Sequence, residues 1–252
     1  MRKVLSFNMK KVTEFKEMKS GLGLVLGEPV DHWEGCSFPP FTVMTGKWVV
    51  LMPVKNTDFA SQLFDAYQLD GDGKVWDYLP YGPFDSVAKY RSWMIENCLG
   101  TDPQFYAIID RKTNKALGIA SYLRISPENG SIEVGHLAYS PMLQRTRLST
   151  EVMYLMMNRV FELGYRRYEW KCNSLNIKSR QAAERIGMTF EGVFRQMMVV
   201  KGRNRDTAWY SIIDKEWPKI RQGFLDWMAD ENFNNDNIQK SRLINCINSY
   251  RR

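Results

Sequence analysis

The stretch from Ile132 to Phe161 reads IEVGHLAYSPMLQRTRLSTEVMYLMMNRVF, and its two halves follow different periods. Ile132 to Tyr139 is rich in β-branched and aromatic residues and predicts a strand. Ser140 to Arg147 predicts a short loop. From Leu148 to Leu163 the apolar residues Leu148, Val152, Met153, Leu155, Met156, Met157, Val160, Phe161 and Leu163 cover nearly every side of a helix. Such a helix must be largely buried, packed on a sheet. Arg145 and Arg147 stand where it begins. A helix N-terminus is partially positive, so cations there are unfavourable on their own. An anion held between them and the unpaired N–H groups would account for them. The pattern therefore implies a phosphate-bearing ligand, and an enzyme more than a scaffold.

Upstream, Gly21, Gly23, Gly27, Pro29, Gly35, Pro39 and Pro40 break residues 1–45 into an irregular extension. Lys47 to Pro53 predicts a strand. Thr57 is the expected cap of a helix reaching Gln68, and Ser86 of a second from Val87 to Cys98. Strands follow at Gln104–Ile109, Ala116–Ile125 and Ser131–Tyr139, with Glu128-Asn129-Gly130 as a hairpin turn. Downstream come a strand (Arg166–Cys172), a helix (Ile177–Ile186), two strands (Val193–Val200 and Asp206–Ile213) and a helix from Lys215 to Ala229. The Asn-rich tail, 232–252, is expected to fray. The plan is one α/β (α+β) domain over 46–231, with a largely antiparallel central sheet flanked by helices.

The 252 residues suffice for one sizeable domain. Net charge is +7, which favours anionic partners. The clearest basic run, Lys201-Gly202-Arg203-Asn204-Arg205, reads as a solvated turn between strands rather than a nucleic-acid contact. A nucleic-acid-binding module built on Lys201, Arg203 and Arg205 is the alternative from a different class. Cys36, Cys98, Cys172 and Cys246 lack metal spacing, and only His32 and His136 exist, so no metal is expected. No apolar run is long enough to span a membrane. Met1 to Lys11 has no apolar core of a secretory signal, so a reduced, cytoplasmic protein is expected.

Several motifs in order resemble the GNAT superfamily of acyl-CoA-dependent N-acyltransferases, in its ribosomal-protein-alanine acetyltransferase-like branch. Glu133-Val134-Gly135 resembles the family's Glu-Ile-Gly strand. Gln144-Arg145-Thr146-Arg147-Leu148-Ser149 followed by Thr150-Glu151 resembles the loop Gln-x-x-Gly-x-Gly/Ala and the helix start Thr-Glu. Asn176-Ile177-Lys178-Ser179, Arg185-Ile186-Gly187-Met188 and Phe190-Glu191-Gly192 match later motifs. Both loop glycines are replaced, by Arg147 and Ser149, so a degenerate member that binds CoA without turnover stands as a second alternative.

The resemblance implies acetyl transfer from acetyl-CoA to a primary amine, in a protein N-terminus or a small molecule, by direct attack in a ternary complex. It puts the thioester between the strands Ser131–Tyr139 and Arg166–Cys172. Backbone amides near Leu137 to Tyr139 would meet the pantetheine, and those of Arg145, Thr146, Arg147, Leu148, Ser149 and Thr150 the pyrophosphate. Glu133 is the candidate base, with ion pairing on the strand as its structural role. Ser179 is the candidate acid or CoA contact, and Tyr139 the alternative hydroxyl. Asn176 either caps the following helix, binds pantetheine, or does both. The implied acceptor wall is Trp76, Tyr78 and Tyr81, suited to an amine that is cationic before deprotonation or to an apolar side chain, with Asp77 and Asp85 nearby. His136, three residues from Glu133, is expected on the opposite face as a core residue. A homodimer through a strand edge is compatible with this plan.

Overall fold

A computed structural model of the chain describes residues 18–19, 23–236 and 238–251. Two short strands, β1 (Met18–Lys19) and β2 (Val25–Leu26), pair antiparallel within an N-terminal unit ending at Glu34. The second unit begins at Gly35. It runs β3 (Met44–Thr45), β4 (Val49–Pro53), α1 (Ala60–Gln68), α2 (Val87–Asn97), β5 (Gln104–Asp110), β6 (Lys115–Ser126) and β7 (Ser131–Tyr139). It continues with α3 (Arg147–Glu162), β8 (Arg167–Asn173), α4 (Ile177–Arg185), β9 (Thr189–Val200), β10 (Arg203–Ile213), α5 (Trp217–Met228) and α6 (Leu243–Arg251).

These strands form one sheet in the order β3-β4-β5-β6-β7-β8-β10-β9. Only β7 and β8 run parallel, because α3 carries the chain back over the sheet between them. The α/β plan with a largely antiparallel sheet thus holds. Local chemistry explains the boundaries. Thr146 caps α3 by accepting the Ser149 N–H, and Gly164 leaves it at φ +86°. Ser86 caps α2 in the same way. The expected cap Thr57 is not used: α1 follows Phe59, which makes no side-chain cap bond. The basic run is a hairpin turn, with Lys201 (φ +49°) and Gly202 (φ +71°) between the paired Val200 and Arg203.

Two apolar layers cover the sheet. On one face Val152, Met153, Met156, Met157 and Val160 of α3 pack with residues of α4, α5 and α6 over Ile132, Val134, Tyr168, Trp170 and Tyr210. Each fully buried side chain of this kind stabilises by about 1.5–3 kcal/mol. On the other face α1 and α2 cover β5, β6 and Ala138 of β7 with Leu63, Tyr67, Tyr90 and Met94. Among the described residues no helix covers β8, β10 and β9 on this second face, and polar groups occupy it. The edge strand β9 exposes Val193, Phe194, Met197 and Val199.

The frayed tail expected over 232–252 is corrected. Its Leu243 and Ile247 are buried against α5, where Gly223 has no room for a side chain: a Cβ would lie 2.5 Å from the Ile247 Cα. Arg251 Nη2 donates to the Gly187 carbonyl at 2.5 Å. The polar composition of the segment hides two apolar anchors spaced one helical turn apart.

Candidate active site

The parallel pairing of β7 with β8 lasts only from Ser131↔Arg167 to Val134↔Trp170. Beyond it the strands diverge, and Gly135 to Tyr139 pair only with β6. The divergence leaves one backbone edge of β7 open to an extended ligand.

At the last rungs of that pairing lies Glu133, only 4% exposed. Its Oε2 accepts from Arg124 Nη1 and from Lys171 Nζ, each at 2.8 Å. Lys171 also meets Glu169 at 2.8 Å and stands 3.8 Å above the Trp209 ring. Arg167 joins Glu169 at 2.6 Å and grips both oxygens of Glu191. Six charges of alternating sign thus run across the sheet on the face that α1 and α2 leave open. Burial raises the Glu133 pKa above its ordinary value, with Lys171 and then Arg124 opposing. For Glu169 burial also pushes upward, but its bonds to Arg167 and Lys171 outweigh it and the pKa falls.

A β-bulge follows Glu133. His136 and Leu137 together oppose one residue of β6, and His136 has φ +51°. Side-chain alternation inverts there, which corrects two expectations. His136 comes to the same face as Glu133, stacked on Tyr81 at 5.6 Å and beside Phe105 at 4.9 Å. Burial, helped by Arg124, depresses its pKa to about 4, so it is neutral at pH 7. Tyr139 is turned into the α3-side core with Leu137, and its hydroxyl is buried without a partner among the described residues. Burial raises its pKa, so it holds its proton away from Glu133.

Helix α3 starts at Arg147, one residue before the expected Leu148. Thr146 Oγ1 donates to Leu143 O at 2.7 Å and accepts the Ser149 N–H at 3.2 Å. Arg145 is exposed in the loop with φ +59°. Arg147 and Ser149 lie in regular helix, so the positions where the family pattern has glycine need no left-handed backbone here. The Arg147 guanidinium is sandwiched between Trp48, at 4.9 Å, and Phe233, at 4.4 Å. Leu148 is partly buried against the core, and Thr150 Oγ1 accepts from Arg185 Nη2 at 3.0 Å. Those partners lie far away in sequence and were not foreseeable from the motif.

Across β8, Asn176 caps α4 by accepting the Ser179 N–H at 3.1 Å. Ser179 Oγ accepts from Trp170 Nε1 at 3.0 Å. Trp170 belongs to the α3-side core, whereas Lys171 faces Glu133. Ser179 and Glu133 therefore flank β8 from opposite faces.

Of the three expected acceptor-wall aromatics, only Tyr78 lines a cleft. Trp76 is buried among Tyr67, Tyr81, Phe84 and Tyr90, and Tyr81 is packed between Trp93 and His136. Both are satellite core. Asp85 is paired with Lys89. The cleft, about 420 Å³, lies between Asp77 and Tyr78, the end of β8 at Asn173, and the β9–β10 hairpin with Lys201, Arg203 and Arg205.

Sequence reasoning also missed the role of Glu151. Its carboxylate is buried and accepts the backbone N–H groups of Lys47, Trp48 and Val49 at 2.6, 2.7 and 2.9 Å, fixing the start of β4 to α3. The available signal was an acid within an otherwise apolar helix. For Lys171 it was the alternation Arg167, Glu169, Lys171 along one strand. Among the described residues no cluster of His, Cys, Asp and Glu can hold a metal ion, and no helix is long and apolar enough to cross a membrane.

Known proteins share this family pattern and fold. The Acetyltransferase (GNAT) domain profile matches residues 49–189. A GCN5-related N-acetyltransferase from Brucella melitensis is 39% identical, covers 87% of this chain and all of its own, and superposes with a TM-score of 0.85. A probable GNAT-family acetyltransferase from Chromobacterium violaceum is 38% identical over 77% of this chain and 96% of its own, with a TM-score of 0.72. The uncharacterised N-acetyltransferase YnaD of Bacillus subtilis is 24% identical over 60% of this chain and 87% of its own length.

Proposed function

The chain belongs to the GNAT acetyltransferase family and is an acetyltransferase enzyme, and on that premise we propose that it acetylates a primary amine by direct attack in a ternary complex, with Glu133 as general base. The observation that carries this reading is a buried carboxylate at the point where β7 and β8 part. Acetyl-CoA supplies the activated acetyl group. The open edge of β7 from Gly135 to Tyr139 fits an extended pantetheine, and its N–H groups suit the charge that grows on the thioester oxygen. The α3 start, with the N–H groups of Thr146 to Thr150 and the exposed Arg145, fits the pyrophosphate. Arg147, held between two rings, shapes that loop rather than reaching for phosphate.

An acceptor ammonium gives one proton to Glu133, directly or through a water. The freed lone pair forms the C–N bond as the C–S bond breaks, the nitrogen loses its second proton, and the thiolate takes one up. Because Glu133 and Ser179 flank β8 from opposite faces, the amine enters from one face and the sulfur leaves toward the other, with Ser179 and Asn176 on the CoA side. Cys172 takes no covalent part: burial raises its thiol pKa, and no histidine pairs with it among the described residues.

The test is free-thiol release from acetyl-CoA across a panel of primary amines, with wild type and Glu133→Gln. Amine-dependent release by wild type that collapses in the variant supports the reading. Release that is unchanged in the variant removes Glu133 from the chemistry.

A further inference from the structure

The cleft between the end of β8 and the β9–β10 hairpin is cationic. Lys201, Arg203 and Arg205 line it against one carboxylate, that of Asp77. Lys201 is held in place by donating to the Trp76 carbonyl at 2.8 Å. Arg205 is half-buried; Glu133 attracts it through space, but no carboxylate makes an ion pair with it among the described residues, and its Nε is buried without a hydrogen-bond partner. Burial outweighs that distant attraction, so the guanidinium is costly to hold unless an anion comes into contact with it.

Arg205 does not stand alone. On β10 the residues at alternate positions share a face, and Arg205, Thr207 and Trp209 are so spaced. Thr207 Oγ1 and Trp209 Nε1 are likewise buried and without a hydrogen-bond partner among the described residues. Thr207 is 3% exposed and lies opposite Asn173 of the cleft, while Trp209 lies opposite Lys171, the partner of Glu133. Three orphaned polar groups therefore lead in a row from the basic cleft to the carboxylate. Strand geometry sets the step between successive members at about 7 Å.

Building on the reading of Glu133 as the base, we infer that the acceptor is an amine carrying a carboxylate or phosphate group, which Arg205, Arg203 and Lys201 hold while the amine meets Glu133. The sequence led to a different expectation, a cationic or apolar acceptor against an aromatic wall. The structure buries two of those aromatics and puts three cations at the mouth instead. A purely cationic amine is repelled there, whereas an anion completes the charge of Arg205 and orients the amine along β10. Thr207 and Trp209 offer their free polar groups to the atoms between the two ends.

The experiment saturates the protein with CoA, so that the pyrophosphate loop is filled, and follows thermal unfolding with added inorganic phosphate. Glucosamine and glucosamine 6-phosphate, and putrescine and 4-aminobutyrate, are then compared as ligands of the same complex. Phosphate is expected to raise the midpoint by on the order of 3 °C when present at about ten times its Kd. Arg205→Gln should lose most of that shift and exposed Arg203→Ala part of it, so the outcome survives misfolding of the first variant. Each anionic amine should stabilise more than its non-anionic counterpart. No shift with phosphate, equal shifts in both variants and wild type, or a preference for glucosamine or putrescine overturns the inference. So does steeply salt-dependent binding of an RNA oligonucleotide with no response to small anions. Failure of CoA itself to bind would instead strike the parent reading, which the CoA titration reports separately.

Discussion

Glu133→Gln separates catalysis from stability. The substitution keeps the shape of the side chain, and the glutamine oxygen still accepts from Arg124 and Lys171, each 2.8 Å away in the wild type. Two ion-pair hydrogen bonds become two bonds from the same cations to a neutral acceptor, a loss of roughly 1 kcal/mol apiece. The gain opposes this loss, because burial holds the Glu133 pKa above its ordinary value and the site on balance disfavours the charge. Lys171 retains Glu169 and the Trp209 ring, so it is not left alone. Net destabilisation should be at most about 1 kcal/mol, or roughly 2–4 °C in a domain of this size. Loss of a general base lowers turnover by roughly 100-fold or more. The assay is thiol release at saturating acetyl-CoA over a pH series, beside a melting curve and an acetyl-CoA titration. Wild-type turnover would refute the role. A melting point reduced far beyond that window would refute the charge balance instead.

Lys171→Met removes the largest influence favouring the ionised Glu133, so its pKa rises further and the acid limb of kcat/KM moves to higher pH; a superimposable profile would mean that Lys171 does not tune the base. Glu151→Ala strips three backbone N–H groups of their acceptor. Two of those donors can reach water, so the cost is about 3 kcal/mol, read as a midpoint lowered by roughly 6–12 °C; an unaltered midpoint would show that the β4 start holds without it. His136 has a folded pKa of about 4 against 6.5 for an ordinary histidine. The unfolded chain therefore takes up the proton first, and stability is lost as pH falls from 6.5 toward 4. His136→Asn, which tolerates the left-handed backbone, should flatten that part of the curve, and parallel curves would deny the assignment.

The β7–α3 boundary was legible because its signals are local: Thr146 caps, Gly164 ends the helix, and the apolar positions run between them. Glu133 was legible from its place in a motif, although its partners Arg124 and Lys171 come from neighbouring strands. The bulge was not legible. Neither His136 nor Leu137 is a glycine, and a single extra residue inverts every side chain beyond it, which is why His136 was expected on the wrong face and the burial of the Tyr139 hydroxyl was not foreseen. Arg147 was read against its nearest neighbours, whereas Trp48 and Phe233 are brought to it only by the complete fold. The acceptor side failed for the same reason, since Asn173, Tyr78 and Arg205 converge from three separate segments.

The last helix has a consequence for how the enzyme is made. α6 follows every other described element in sequence, yet it supports α5 through Ile247 and the end of α4 through Arg251. α4 begins with Asn176 and Ser179, on the sulfur side of the proposed reaction. During synthesis the upstream sheet can close as soon as β10 has emerged, but these supports are absent until α6 itself has emerged. A nascent chain can therefore assemble the half that carries Glu133 while the opposite half waits for α6, so that the two sides of the catalytic scaffold mature in sequence.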